Sequence, residues 1–354
     1  MTGAPASHAV TLVATFAVFA SCAVLAVVLV LTKVGREGRR RRQAALVAPL
    51  RPHLIAVSAG EDDGTARAVL AAADGPSRHA VTRAITDLLG KVRGLPAEEL
   101  VEVLDRHGSL ESAMADLRHA SAVRRAQAAQ LLGVSRVPDA VDALVAALDD
   151  KAAEVRASAA YALGLIGDPR AAAPLLRAVG APDAGLPAGL AADALLGMGV
   201  GISGALGDAL ADPDPRTRTV AAHLCGVGSF SRALPCLRER LALDPDLTVR
   251  ETCAQALGNI GRADDVEVLA RHTRASHPLP LRRVCAEALG ALGEDAAVPT
   301  LAALLHDPDP RLAELAANSL VRLGPCGRAA LDAAAHERPV QSALTVAALQ
   351  GVLR

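Results

Sequence analysis

The sequence predicts an all-α protein: an α-solenoid of stacked helix pairs, preceded by a single transmembrane helix. Three observations carry this. A helix–turn–helix pattern, clearest from Ala153 to Val179, returns about every 31 residues to the end of the chain. Composition is 51% hydrophobic but only 1% aromatic, which fits helices whose backbones lie close together. An apolar run, Ala9 to Leu31, is followed at once by a basic one.

The apolar run comes first in the chain. It holds no charge, and at about 1.5 Å per residue it is long enough for a hydrocarbon core of roughly 30 Å. Lys33 to Arg42, KVGREGRRRR, then carries six positive residues and one Glu. The positive-inside rule puts that end in the cytoplasm and the N-terminus outside. A cleaved signal peptide would show the reverse order of charge and a shorter run. Phe19-Ala20-Ser21-Cys22 has a trace of a lipoprotein signal, but nine apolar residues follow Cys22. The expectation is a single-pass cell-membrane protein with residues 1–32 as outer terminus and anchor and 33–42 as a basic juxtamembrane segment. Arg39, Arg40, Arg41 and Arg42 are expected beside anionic lipid, at about 1 kcal/mol each.

Residues 43–121 read as a divergent helical cap. Helices are expected over 44–57, 65–73, 78–89, 97–106 and 110–119, with Pro76 and Pro96 near helix starts. Residues 122–354 read as the solenoid proper.

The repeat lies on one frame. Frame starts fall at Val81, Arg124, Val155, Pro187, Thr217, Val249, Leu281 and Leu312. Nine residues further on, six of the eight positions are Gly; the exceptions are Leu196 and Val321. In the clearest unit Val155, Ala159, Ala162, Leu163 and Ile166 form an apolar stripe. Small residues Ala159 and Ala160 let a neighbouring helix approach. Gly164 and Gly167 are expected to close the helix with positive φ, and Asp168-Pro169 to start the next. The unit at Pro187 is the weak one: seven glycines between Ala181 and Gly207 predict a loosely packed repeat more strongly than a hinge. The segment from His272 to Pro280 is longer than its counterparts; it reads as surface drift more readily than as a contact loop.

These units resemble bacterial HEAT repeats, of the short kind also found in phycobilisome lyase subunits. The carrying residues are VRASAAYALGLIGD (155–168), VRETCAQALGNIG (249–261) and LRRVCAEALGALGED (281–295), with LVAALDD (144–150) and LAALLHDPDP (301–310) in the preceding helices. The resemblance implies a fold and no activity. It implies that the frame helix lines the concave side, and that Asp and Arg near the turns belong to the scaffold.

Chemistry is sparse. Cys225, Cys253 and Cys285 fall at apolar phases and read as small core residues. There is no CxxC or HExxH, so no metal is expected. The His-Glu pairs of HEAT-like deoxyhypusine hydroxylases are matched only by His336-Glu337. No cofactor is expected, GMGVG (197–201) is not a dinucleotide fingerprint, and the scarcity of rings argues against a single-stranded nucleic-acid binder.

Two columns stand out beyond the apolar pattern. Six residues past each frame start come Asp87, Gln130, Tyr161, Asp193, His223, Gln255, Glu287 and Asn318, polar or amphipathic residues among Ala and Leu. They are either a solvated stripe or the rungs of a partner-binding groove. One residue past the frame start come Arg125, Arg156, Arg218, Arg250 and Arg282, expected to meet Asp149, Asp214, Asp246 and Asp307 of the preceding turns, or neighbouring carbonyls. The expected function is a non-catalytic scaffold that binds a protein at the cytoplasmic membrane face, through Gln130, Tyr161, Asp193, His223, Gln255, Glu287 and Asn318. Nucleic acid is not expected. The alternative is a phycobilisome-lyase-like or chaperone-like accessory enzyme acting on a protein substrate.

Overall fold

The computed structural model describes residues 44–181 and 185–337, with Leu25, Val27 and Lys33 from the N-terminal stretch. The transmembrane and basic segments expected at 9–31 and 33–42 otherwise lie outside the described residues. Among the described residues no helix is long and apolar enough to cross a membrane, and no strand occurs.

The chain divides into two compact units that meet at Ser112/Ala113. In the first, α1 (Arg51–Ala59), α2 (Thr65–Ala71), α3 (Gly75–Leu89) and α4 (Leu95–Arg106) bury Leu54, Val57, Leu70, Val81, Ile85, Leu100, Val103 and Leu104. Pro76 and Pro96 stand in the first turns of α3 and α4, where the missing N–H costs nothing. Helix α5 (Ser109–Asp116) spans the division.

The second unit is a two-layer stack of helices. The inner layer holds the frame: α6 (Ala122–Val134), α8 (Ala153–Ile166), α10 (Ala188–Gly197), α12 (Pro215–Val227), α14 (Leu247–Ile260), α16 (Leu279–Leu292) and α18 (Pro310–Arg322). The outer layer is α7 (Val141–Ala146), α9 (Ala172–Gly180), α11 (Ser203–Ala209), α13 (Leu234–Leu243), α15 (Asp265–His272), α17 (Val298–Leu304) and α19 (Pro325–Glu337). Asp214, Asp246 and Asp309 cap α12, α14 and α18, each carboxylate accepting a first-turn backbone N–H. Asp168 does the same for Arg170 N–H at 2.9 Å.

The frame glycines have a different role from the one the sequence predicts. Gly167 does cap α8 in the left-handed region, with φ of 77°. Gly164 lies inside the helix, without positive φ, and faces the next inner helix. A Cβ there would fall 2.7 Å from Ala194 Cα. Gly133, Gly226 and Gly258 meet Ala162, Ala256 and Ala288 in the same way, and Gly290 meets Ser319. Bare backbone against a small residue is therefore the stacking contact, made on α8 by Ala162 and Gly164, while Ala159 and Ala160 are fully buried. At Gly90, in the first unit, nothing lies within 4 Å of the added Cβ.

The arginine column meets neighbouring carbonyls, and Arg282 meets Asp307, as expected, but Arg125 and Arg218 take carboxylates other than those expected. Arg125 donates from Nε and Nη2 to Asp150, and from Nη1 to the His119 and Ala120 carbonyls. Arg218 does the same with Asp244 and with the Asp212 and Pro213 carbonyls. Arg282 pairs with Asp307 and donates to the Thr273 carbonyl. Each carboxylate belongs to the following repeat, while only carbonyls of the preceding turn are used. The reason is geometric. The same Asp turns its own loop by accepting the N–H two residues on, which aims the other side of the carboxylate back at the guanidinium. Burial would raise the Asp244 carboxyl, but the Arg218 bonds and the Asp246 N–H hold it below its ordinary value. Breaking such a buried pair from one side costs about 3–5 kcal/mol.

The core cysteines behave as expected. Cys225, Cys253 and Cys285 are fully buried, and burial pushes their thiols up to about 12.

Glycine-to-alanine changes should split by position. A helix-interior Ala gains about 1 kcal/mol over Gly. At Gly258, however, the methyl would sit 2.7 Å from Ala288 Cα and 3.0 Å from its carbonyl oxygen. Gly258→Ala is expected to destabilise by about 1–3 kcal/mol. Gly207→Ala, with nothing within 4 Å, should stabilise by up to about 1 kcal/mol. Urea unfolding of both variants checks the sign at each site.

Candidate protein-interaction face

The polar column sits where the helix period puts it, on the side of the inner helices that no other helix covers. Gln130, Tyr161, Asp193, His223, Gln255, Glu287 and Asn318 are all exposed. The residue two before each of them is buried: Ala128, Ala159, Ala191, Ala221, Cys253, Cys285 and Ala316. The helix turns about 100° per residue, so one rung per helix reaches solvent and its flanks form the wall of the stack. Successive packed helices lie about 8–10 Å apart, which sets the rung spacing. Asp87 is exposed too, on α3 of the first unit.

Tyr161 is 51% exposed, the one Tyr of the chain and the largest ring on this face. Among the described residues neither Asp193 nor Glu287 forms an ion pair, so two uncompensated acids stand on the column. The sequence reading missed the next turn of the same face. Four residues past the rungs, Gly197, Val227, Asn259, Ala291 and Arg322 are exposed, with Val227 at 52%. Their signal was the i+4 spacing, hidden because this column mixes polar, small and apolar residues.

The long segment after α15 is tied to the scaffold. His272 is buried and its Nδ1–H donates to the Val268 carbonyl at 2.8 Å. Its ring lies 4.8 Å from that of His277. His277 Nδ1 accepts from Arg250 at 3.4 Å, so a neutral imidazole occupies the role the inter-repeat carboxylates play elsewhere. Arg238 of α13, on the outer layer, pairs with fully buried Asp265. No group of three or more metal-ligating side chains occurs among the described residues.

A two-layer stack of short helical hairpins, with bare-backbone contacts and inter-repeat Arg–Asp pairs, defines a helical repeat protein. The family model described as HEAT repeats matches residues 110–195, 204–289 and 273–348. The chain belongs to the HEAT-repeat family. No curated protein sequence matches it. Among solved structures, Kap121p bound to Nup53p is similar at a TM-score of 0.57 and 12% identity, over 84% of this chain and 37% of that one. The chain thus spans little more than a third of Kap121p, and the likeness is one of fold. The CpcE–CpcF complex of phycocyanin lyase from Nostoc sp. PCC7120 is 25% identical at a TM-score of 0.33, over 63% of this chain and 92% of that one. Human deoxyhypusine hydroxylase in complex with glycerol is 23% identical at 0.32, over 70% and 99%.

The histidine pair should make the fold acid-sensitive. Burial is the main cause that lowers both His272 and His277, and Arg250 opposes protonation of each. In the unfolded chain both take up a proton near pH 6.5, while the native state still holds them neutral. Below that pH the unfolded state binds more protons, so stability falls until the folded values are passed. Unfolding free energy is expected to drop between about pH 7 and 5, above the range where carboxylates titrate. Replacing both by Gln should flatten that slope, as read by urea titrations at several pH values.

Proposed function

We propose that the protein is a membrane-anchored, non-catalytic HEAT-repeat scaffold that binds a protein at the cytoplasmic membrane face. The observation that carries the binding part is the exposed column from Gln130 to Asn318, one rung on each inner helix. A partner segment lying across the stack touches several rungs at once, which is how repeat solenoids gain affinity. Tyr161 offers the largest amphipathic contact at low entropy cost. Unpaired Asp193 and Glu287 favour a basic or amide-rich segment and disfavour phosphate. The Kap121p complex with Nup53p supports protein binding by analogy of fold. The anchor rests on sequence: Ala9 to Leu31, with Arg39 to Arg42 against anionic lipid.

Changing Tyr161, His223 and Glu287 together to Ala should leave unfolding free energy within about 1 kcal/mol. It should weaken binding to a partner identified by cross-linking from Gln255 by about tenfold or more, since about 1.4 kcal/mol already gives that factor. The matched control changes exposed Arg177, Arg232 and Arg271 of the outer layer; Arg238 is unsuitable because it holds Asp265. Loss of binding in the control alone would move the binding face to the outer layer.

For the anchor, full-length protein should sediment with membranes, resist carbonate extraction, and keep its C-terminal part protected from external protease. A mature N-terminus near Cys22, or cleavage of the repeats from outside, would overturn this placement.

A further inference from the structure

The inner helices make six successive junctions, and five follow one rule. A frame Gly on one helix faces a small residue on the next: Gly133–Ala162, Gly164–Ala194, Gly226–Ala256, Gly258–Ala288 and Gly290–Ser319. At the junction of α10 and α12 the equivalent residues are Leu196 and Leu224. Two leucines cannot meet at backbone distance, and α10 touches α12 far less than any other inner helix touches its successor. Helix α12 leans on the outer helix α9 instead. Thr217 Oγ1 donates to the Leu176 carbonyl at 3.4 Å, and a Cβ on Gly180 would fall 2.8 Å from that Oγ1. A cavity of about 500 Å³ opens beside the junction, walled by Val179, Leu186, Ala188, Pro215, Thr219 and Val220.

The ion-pair rule fails around the same helix. Among the described residues Arg156 of α8 donates to the carbonyls of Asp150 and Lys151, and the sequence has Pro182 at the place where other repeats have Asp. Ala188 of α10 stands where other repeats have Arg. Asp212 is therefore left with the Asp214 N–H as its hydrogen-bond donor among the described residues. On either side the glycine rule holds. Gly133, Gly164 and the Arg125–Asp150 pair lock α6, α8 and α10 together, and Gly201 sits with its bare Cα against Pro169. Beyond the junction three Gly contacts act with Arg218–Asp244, Arg238–Asp265, Arg282–Asp307 and Arg283–Asp309.

We propose that the solenoid is two stiff blocks, residues 113–181 with 185–197 and residues 215–337, that bend against each other at the α10–α12 junction. Packed interfaces with interlocked side chains resist bending, whereas one whose inner helices lack both the close glycine contact and the arginine–aspartate link is the place a hinge forms. The bend sets the separation of Asp193, the last rung of one block, from His223, the first of the next. The joint itself is independent of the reading of the column as a binding face; only its use in fitting a partner rests on that reading.

The test uses the full-length chain in detergent micelles without any partner, so it reads the joint alone. Cys22, Cys236 and Cys326 are replaced by Ser, and pairs of nitroxide labels are placed at exposed positions. Arg118 with Arg177 lies within the first block, Glu239 with Arg328 within the second, and Asp142 with Glu267 crosses the junction. The crossing distance distribution is expected to be about twofold broader than either within-block one, as a hinge between rigid bodies requires. Ala188→Arg, which puts a guanidinium opposite Asp212, should narrow the crossing distribution and leave the other two unchanged. A crossing distribution no broader than the within-block pairs overturns the proposal. Equal breadth in all three pairs overturns it too. An unchanged crossing width in a folded Ala188→Arg protein overturns the part assigned to the missing ion pair.

Discussion

Everything in the repeat unit depends on how closely two helix backbones can pass. At the frame glycines a helix presents no side chain, and the next one brings Ala or Ser to fill the gap. That distance decides the rest. It leaves no room for large rings in the core, which accounts for a chain with no Trp and a single Tyr. It buries the alanine and cysteine column two residues before each rung, and it turns the opposite side of every inner helix to solvent. Dispersion contacts between close backbones, many and individually small, replace the bulk of an aromatic core.

Close stacking fixes the spacing between repeats, and the arginines exploit it. Arg125, Arg218 and Arg282 each tie their own turn, through carbonyls, to the next repeat, through a carboxylate. These guanidiniums are largely buried, so their five donors must be satisfied or removed. Where a unit lacks that Asp, the Arg is held among the described residues by carbonyls, as at Arg156, or by an imidazole and a carbonyl, as at Arg250.

Much of this was legible from residue types in register. The frame placed every inner helix, the buried cysteines, the exposure of the polar column and the Asp168 cap. Two things were misread. Gly164 looked like a helix terminator because Gly at a helix end and Gly at a helix crossing leave the same trace in a single sequence; only the neighbour's position tells them apart. The carbonyl partners and Asp307 of Arg282 were anticipated, but the carboxylates of Arg125 and Arg218 were sought in the preceding turn because sequence distance favours it, whereas the stack brings the next loop, some 25 residues on, into reach. The N-terminal apolar and basic segments are read from hydropathy and charge alone. What binds the column is not written in the scaffold, since the pattern that specifies stacking leaves the rungs unconstrained.

That freedom has an evolutionary side. A rung such as Gln255 or Asn318 projects into solvent between residues that cannot change without disturbing the stack. Mutation can therefore rewrite the rungs one at a time while the chain stays folded. Recognition and foldedness are under separate selection in such a molecule. Duplicating or losing a hairpin lengthens or shortens the row of contacts without redesign, so new partners can be acquired by drift along a surface that stability does not police.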